Sequence, residues 1–353
     1  MKTLICGLGS IGRRHLRNLV QLGQHDILLY RTGKSTLPEE ELEAFKTYGD
    51  LDEALAQKPE AVVISNPSAF HIPVALAAAR AGANLMIEKP ISNTLEGLKE
   101  LDEILHTQNK QALVGFHFRY HPVLQQIKAE LESGNLGRTL SAQAHWGEYL
   151  PAWHPYEDYR KTYAGRLDLG GGVTLTLSHP IDYLRWMFGE VEGVSASLAK
   201  LSDLEIDVED NAEITLHFKE GAIAHLHLDY YQQPPIHSLQ ILCSQGVVQW
   251  ENSSGAAKIY SCKDGQWRSF MLPYGFERND LFLAEMKHFM EVCEGAKPIC
   301  TLQDGAAALQ VALMAHDSSH HLSRMVQMES AWRLDGKISS KSCAEERYDL
   351  KRS

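Results

Sequence analysis

The chain has 353 residues, 44% hydrophobic and 22% charged, the balance of a globular protein long enough for two domains with cores of their own. Its 34 basic and 45 acidic residues leave a formal net charge of −11, which excludes a general nucleic-acid surface, because phosphate backbones are bound by a clustered positive field. No apolar run approaches the roughly 20 residues that span a bilayer, and the six cysteines (6, 243, 262, 293, 300 and 343) show no CxxC pair, so the expectation is a cytoplasmic protein with reduced thiols, no membrane partner, no disulfide frame and no zinc site.

The first 120 residues alternate short apolar runs with helical patterns. In chain order these are KTLIC (2–6), a helix over Ile11 to Leu22, DILLY (26–30), a polar helix around Glu39 to Phe45, AVVIS (61–65), the alanine-rich HIPVALAAARAG (71–82), ANLMIE (83–88), a helix over Leu95 to His106, and QALVGFHF (111–118). Strands of four to six apolar residues separated by helices predict a parallel sheet covered on both faces. After Tyr120 comes a helix over Pro122 to Ser133, then longer two-faced runs, AEITLHF (212–218) and AIAHLHLDY (222–230), joined at Lys219-Glu220-Gly221. Further strands are predicted near Leu239 to Leu242, Val247 to Trp250, Lys258 to Ser261 and Trp267 to Leu272, and helices over Leu281 to Cys293 and Gly305 to His316. Alternation with one polar face predicts an open, mainly antiparallel sheet in a second α+β domain. The expected divisions are residues 1–120, a nucleotide-binding Rossmann domain; 121–334, the second α+β domain; and 335–353, a polar tail.

The glycine turn GLGSIG follows the first strand and opens the first helix. Gly7 permits the turn, Gly9 lets backbone approach a pyrophosphate, and Gly12 lets helix and strand pack closely; the helix N-terminus at Ser10 and Ile11 offers amides and a positive dipole end. A tight turn without a ligand has the same pattern. Dinucleotide sites normally carry an acid about 20 residues on, which binds the adenosine ribose. Here LLYRTGKS (28–35) holds none. Arg31, Thr32, Lys34 and Ser35 offer donors instead, and a guanidinium suits a ribose 2′-phosphate, so NADP is the expected cofactor with NAD as the alternative. The competing reading is a solvated basic loop.

At SNPSAFHIPVALAAARAGANLMIEKPIS (65–92) and GGGVTLTLSHPIDYLRWMFG (170–189) the chain resembles the glucose-fructose oxidoreductase and inositol dehydrogenase family, called Gfo/Idh/MocA. Glu88-Lys89-Pro90 at a strand end, the glycine turn and the downstream His-x-x-Asp stand in that family's order, over nearly the whole chain. The resemblance implies an NAD(P)-dependent oxidoreductase acting on a sugar, sugar derivative or cyclic polyol, assembled as a homodimer or tetramer through the second sheet. It also implies that Lys89 and His179 are catalytic partners, that Asn66, Pro67 and His71 pass beside the nicotinamide ribose, and that Arg119 and Tyr120 face the substrate. An acid that many members carry three or four residues before the histidine is replaced by Leu175 and Thr176.

On residue chemistry alone, moving hydride to or from a carbinol carbon also requires a group that exchanges the hydroxyl proton. Lys89 ends an apolar strand, at the edge where open α/β sheets bind ligands, and partial burial there lowers a lysine pKa; an ion pair with Glu88 is the structural alternative. His179 and Asp182 share a helical face with Thr176 one turn earlier, a candidate proton relay, with Pro180 predicting a kink. The segment GEYLPAWHPYEDYRKTYAGR (147–166) gathers Tyr149, Trp153, His154, Tyr156, Tyr159, Arg160, Lys161, Tyr163 and Arg166. Rings stack on sugars and arginine pairs with anions, so Tyr149, Trp153, Tyr159 and Arg160 are the expected selectivity residues. His225/His227 and His320/His321 have no third ligand at metal spacing. Two other functions fit the same fold: redox-assisted glycoside cleavage with a retained nucleotide, and non-catalytic nucleotide binding.

Overall fold

The computed structural model describes residues 1–33, 40–155 and 157–321. Apolar tetrapeptides build the first sheet: β1 (Thr3–Cys6), β2 (Ile27–Tyr30), β4 (Ala61–Ile64), β5 (Asn84–Glu88) and β6 (Ala112–Gly115) are buried over almost every residue, and β3 (Lys46–Tyr48) is the exposed edge. The order is β3-β2-β1-β4-β5-β6, every pairing parallel. Helices α1 (Ser10–Gln21), α2 (Leu51–Leu55), α3 (His71–Arg80) and α4 (Leu98–Thr107) make the crossovers. Strand order reverses at β1, between β2 and β4, and that reversal opens a ligand crevice at the carboxyl ends of the strands.

The polar helix expected around Glu39 to Phe45 is only a 3-10 turn over Glu40–Leu42, and Leu42 is its one buried residue. With a single apolar anchor the segment cannot bury a helical stripe. The chain turns instead into β3, whose polar KTY carries no strand alternation, and α2, capped by the Asp50 carboxylate on the Glu53 amide.

The second sheet has eight strands: β7 (Thr139–Gly147), β8 (Val191–Ala199), β9 (Asn211–Phe218), β10 (Ile223–Asp229), β11 (Ile236–Cys243), β12 (Gly246–Glu251), β13 (Ala256–Ser261) and β14 (Gln266–Met271). Their order is β14-β13-β12-β11-β7-β10-β9-β8. All pairs are antiparallel except β7 with β10. The apolar face of β9 and β10 (Ala212, Ile214, Leu216, Leu226, Leu228) is buried, and Glu213, Thr215, His225 and His227 alternate onto the other face. Helices α5 (Pro122–Glu132), α6 (Val173–Thr176) and α7 (His179–Phe188) precede most of this sheet.

Strands β1 to β6 precede residue 120 and β7 to β14 follow it, yet the packing crosses that point, and Met1–His321 forms one compact unit. Helix α8 (Arg278–Cys293) returns to α1, where Asn279 donates to Asn18 Oδ1 at 2.9 Å. The Val114 amide on β6 donates to the Cys300 carbonyl at 3.0 Å, and Gly305 of α9 (Leu302–His320) lies against the Val114 side chain. The far end of α9 covers the β8 edge, with Ser318 and Ser319 hydroxyls accepting from the Ala196 and Leu198 amides at 3.0 and 2.9 Å. The polar tail expected from residue 335 lies outside the described residues.

Candidate active site

The glycine turn is wedged between two strand ends. The Gly7 amide donates to the Tyr30 carbonyl at 3.1 Å, the Ser65 hydroxyl donates to the Gly7 carbonyl at 2.8 Å, and a Cβ on Gly7 would lie 2.4 Å from the Asn66 nitrogen. A Cβ on Gly12 would lie 2.0 Å from the Gly7 carbonyl oxygen, so only glycine brings α1 this close to β1. Gly9, by contrast, meets nothing within 4 Å. No side chain caps the helix and no acid stands in its first turn, which leaves the Ser10 and Ile11 end of α1 as a site for an anion. These residues fit the pyrophosphate of a dinucleotide.

Arg31 and Thr32 follow β2 directly; the Arg31 amide donates to the Tyr48 carbonyl at 3.1 Å, and Thr32 is exposed. Lys34 and Ser35 lie outside the described residues. Glu41 does return toward α1, but Arg17 holds its carboxylate at 2.5 and 2.7 Å and Arg13 stands at 3.6 Å. The Arg17 hydrogen bond keeps that carboxyl below its ordinary pKa.

Strand β5 delivers Glu88 and Lys89. Glu88 is buried, with Oε1 2.6 Å from His15 Nε2 and Oε2 accepting from the Lys89 amide at 3.1 Å. Burial acts most strongly, to raise the Glu88 pKa, and the His15 contact together with the Lys89 charge and amide brings the net shift down. Glu285 of α8 completes a buried trio with donor atoms within 4.8 Å of one another. Neither Glu285 oxygen has a hydrogen-bond partner, and burial, with the Glu88 charge second, pushes its pKa well up. Burial thus favours the protonated form of Glu285.

The Lys89 Nζ donates to the Thr176 carbonyl at 2.8 Å. Burial lowers the Lys89 pKa, and the Glu88 charge partly opposes that. His179, at the start of α7, is 1% exposed, and neither of its ring nitrogens has a partner. Around it stand Phe116 at 5.5 Å, His117 at 4.3 Å, Phe118 at 4.9 Å and Trp146 at 5.5 Å between ring centroids. Burial, then the neighbouring His117 and Lys89, hold its pKa well below the ordinary histidine value, so the imidazole is neutral at pH 7.

Four sequence expectations meet a different geometry here. Pro180 does not kink a helix; it occupies the first turn of α7, where its missing N–H leaves no bond unmade. Thr176 therefore belongs to α6, a separate element from His179. Asp182 makes no hydrogen bond to His179, and its oxygens are taken by Arg119: Nε at 3.2 and 3.0 Å and Nη2 at 2.7 Å, both residues almost fully buried. The Arg119 guanidinium is thus engaged within the protein, and its Nη1 donates to the Ile299 carbonyl at 2.7 Å. Tyr120 beside it has a buried hydroxyl without a partner, and burial pushes its pKa far up.

His71 is likewise enclosed, with Nδ1 2.9 Å from the Pro90 carbonyl and Nε2 2.7 Å from the Asn66 carbonyl. It braces the Asn66-Pro67 segment against the Glu88-Lys89-Pro90 turn. The Asn66 side-chain oxygen is buried without a partner, an acceptor left for a ligand donor. In the aromatic segment, Tyr149 is half-buried and the Trp153 ring meets Tyr230 edge-on at 5.6 Å. The Tyr159 hydroxyl accepts from the Glu205 amide at 3.3 Å, and Arg160 pairs with Asp158 at 2.7 Å and Glu205 at 2.8 Å. Arg160, Arg166, Lys200 and Asp207 line an open surface cleft of about 670 Å³ that includes neither Lys89 nor His179. Tyr156 lies outside the described residues.

Residues 1–116 match the oxidoreductase family with an NAD-binding Rossmann fold, GFO/IDH/MocA, and residues 124–249 match the GFO/IDH/MocA C-terminal domain. The chain belongs to the Gfo/Idh/MocA family. It is an oxidoreductase with an NAD-binding Rossmann fold. It is similar to the myo-inositol 2-dehydrogenase of Thermotoga maritima, 27% identical over 350 residues, which cover 93% of this chain and 99% of that one. A shorter stretch, 144 residues covering 39% of this chain and 35% of the other, is 33% identical to the levoglucosan dehydrogenase of Pseudarthrobacter phenanthrenivorans. A solved levoglucosan dehydrogenase in complex with NADH superposes with a TM-score of 0.81, at 18% identity over 91% of this chain and 97% of that one. The WlbA dehydrogenase from Bordetella pertussis in complex with NADH and UDP-GlcNAcA superposes at 0.74, with 21% identity over 91% and 96%. At those identities the structural likeness is one of fold.

Sequence reasoning passed over His15, Glu285, Phe116, His117 and Trp146. Two of them left a signal. Glu285 falls on the stripe Leu281, Phe282, Met286, Phe289, and His15 on the buried face with Leu16 and Leu19, so each is a polar residue where periodicity demands an apolar one.

Proposed function

We propose that the chain is an NADP(H)-preferring dehydrogenase or reductase, tolerant of NAD(H), acting on a sugar, sugar derivative or cyclic polyol. The names of the relatives support the substrate class: inositol 2-dehydrogenase, levoglucosan dehydrogenase and 1,5-anhydro-D-fructose reductase all act on ring polyols or sugars. The carrying observation is the Lys89 ammonium fixed on the Thr176 carbonyl near a neutral, unpartnered His179. When bound, the nicotinamide supplies hydride acceptance or donation at C4. Gly7, Gly9, Ser10, Ile11 and Gly12 would hold the pyrophosphate, Arg31 and Thr32 the 2′-phosphate, and Asn66 and Pro67 the nicotinamide side.

Lys89 exchanges the carbinol proton. As the neutral amine it takes the proton from an alcohol, and as the ammonium it returns the proton to a carbonyl oxygen. His179 orients the same oxygen through a ring nitrogen, and the rings of Phe116, Phe118 and Trp146 keep bulk water off it. Glu88, through its contact with His15, fixes the position of the Lys89 backbone. Tyr149, Trp153 and Tyr159 are proposed to face the substrate, and the second sheet to assemble a homodimer or tetramer in the cytoplasm.

The test is turnover of a panel of inositols, anhydrosugars and nucleotide sugars with NADP and NAD side by side. The expected result is turnover with higher kcat/KM for NADP, and a shift toward NAD in Arg31→Asp. No turnover across the panel with either cofactor, or an Arg31→Asp variant that uses NADP as well as the parent does, would overturn it.

A further inference from the structure

We propose that His145, His227 and Asp229 form a binding site for a divalent first-row transition cation of the zinc class, on the face of β7 and β10 turned away from His179. The sequence shows two alternating histidines on one strand and no third ligand nearby. The fold supplies that ligand: β7 and β10 are the only parallel pair in their sheet, and their register sets His227 beside His145 and Asp229 beside Gly147.

The geometry is that of converging ligands. His227 Nε2 lies 3.1 Å and His145 Nε2 3.6 Å from Asp229 Oδ2, and one donor atom from each residue falls within 4.8 Å of the other two. A tetrahedral ion with bonds of about 2.0 to 2.2 Å holds its donors roughly 3.3 to 3.5 Å apart, so small side-chain rotations suffice. The carboxylate is aimed beforehand, because Asp229 Oδ1 accepts from the Tyr231 and Gln232 amides at 2.9 and 2.6 Å, which leaves Oδ2 for the imidazoles. His227 Nδ1 stands 2.5 Å from Glu213 Oε1, the carboxylate-histidine arrangement that turns Nε2 toward a metal and raises its basicity.

Two further observations point to a ligand. The His145 Nε2 is shielded from solvent and has no hydrogen-bond partner. Gly147 opposite leaves the room: a Cβ there would lie 2.1 Å from Asp229 Oδ2. Two imidazoles and one carboxylate select zinc, cobalt or nickel over magnesium or calcium, which prefer all-oxygen sets. Three protein ligands leave a fourth position for water. Such an ion would tie β7 to β10 directly behind Trp146, whose ring stacks on His179 from the opposite face.

The experiment uses the untagged full chain, stripped with chelator and titrated with zinc, followed by calorimetry, elemental analysis after desalting, and the thermal midpoint. The expected result is one zinc per chain and a higher midpoint when loaded. His145→Ala and, separately, His227→Gln should weaken binding ~100-fold or more, and Glu213→Gln, which removes only the supporting carboxylate, by about 10- to 100-fold. His225→Ala lies on the same strand, with its ring 3.1 Å from the Thr215 hydroxyl, and should leave binding unchanged. A stripped chain that takes up no zinc, or stoichiometric zinc that survives both His145→Ala and His227→Gln, would overturn the assignment.

Discussion

Replacing Arg119 by leucine strands Asp182 in the interior. The pair is 2% and 1% exposed, joined by three N···O contacts of 3.2, 3.0 and 2.7 Å, and Arg119 also donates to the Ile299 carbonyl at 2.7 Å. Removing one partner of a buried ion pair destabilises by about 3 to 5 kcal/mol, because the remaining charge keeps its desolvation penalty and loses its counterion. Against a total stability of roughly 5 to 15 kcal/mol that is a large fraction. Arg119→Leu should therefore show a much lower urea midpoint, and Arg119→Leu/Asp182→Leu should recover most of the loss, since the fully buried charge is gone and Asp304, 3.4 Å from Arg119, is partly exposed and bonded to Thr301. The non-additivity in this cycle measures the coupling. Asp182→Asn, which keeps the shape and one acceptor, should lose stability but retain turnover per folded molecule. A loss under about 1 kcal/mol in Arg119→Leu would place the pair among solvent-screened ones and refute the reasoning. So would an Asp182→Asn protein of normal stability without turnover, because it would return Asp182 to a relay with His179.

Two further perturbations follow from the same geometry. Gly12→Ala drives a Cβ to within 2.0 Å of the Gly7 carbonyl oxygen, whereas Gly9→Ala meets nothing within 4 Å; the first should lower the thermal midpoint, and the second should fold normally while weakening NADP binding in fluorescence titration. The reverse pattern would contradict the cradle. Glu285 has a folded-state pKa well above its unfolded value of about 4.3, so the folded chain holds that proton more tightly. Its contribution is fully present below the unfolded pKa and is lost as pH rises from there toward the folded pKa. Glu285→Gln should accordingly gain on the parent as pH rises through that window, read from thermal midpoints over a pH series, and a gap that is flat with pH would refute a raised Glu285 pKa.

The parallel sheet was legible because buried strands must be apolar throughout: ILLY, AVVI and NLMIE admit no other reading beside helical repeats. Strand β7 was not, since TLSAQAHWG is built from small and polar residues whose partners lie on distant strands. Missing β7 hid both Trp146 against His179 and His145 against His227 and Asp229. At the site, Glu88, Lys89 and His179 could be singled out because the Glu-Lys-Pro and His-x-x-Asp segments resemble those of the Gfo/Idh/MocA family. The partners of Asp182 and His71 could not, because Arg119 and the Pro90 and Asn66 carbonyls reach them only through tertiary packing. The return of α8 to α1 was hidden for the same reason, and it brings Glu285 to Glu88 across a point where the chain's texture changes.

The central claim is that the proton moved in the reaction belongs to Lys89. Its most direct test is kcat/KM against pH in both directions, for the parent chain and for Lys89→Ala shown to be folded and to bind cofactor. Because the Lys89 pKa is lowered from its ordinary value, oxidation should rise with pH to a plateau reached below the usual lysine pKa of about 10.4, and reduction should fall over the same range. In Lys89→Ala the limb should vanish with a loss of about 10²- to 10⁴-fold. Near-parent turnover with the same pH limb in Lys89→Ala would contradict the account.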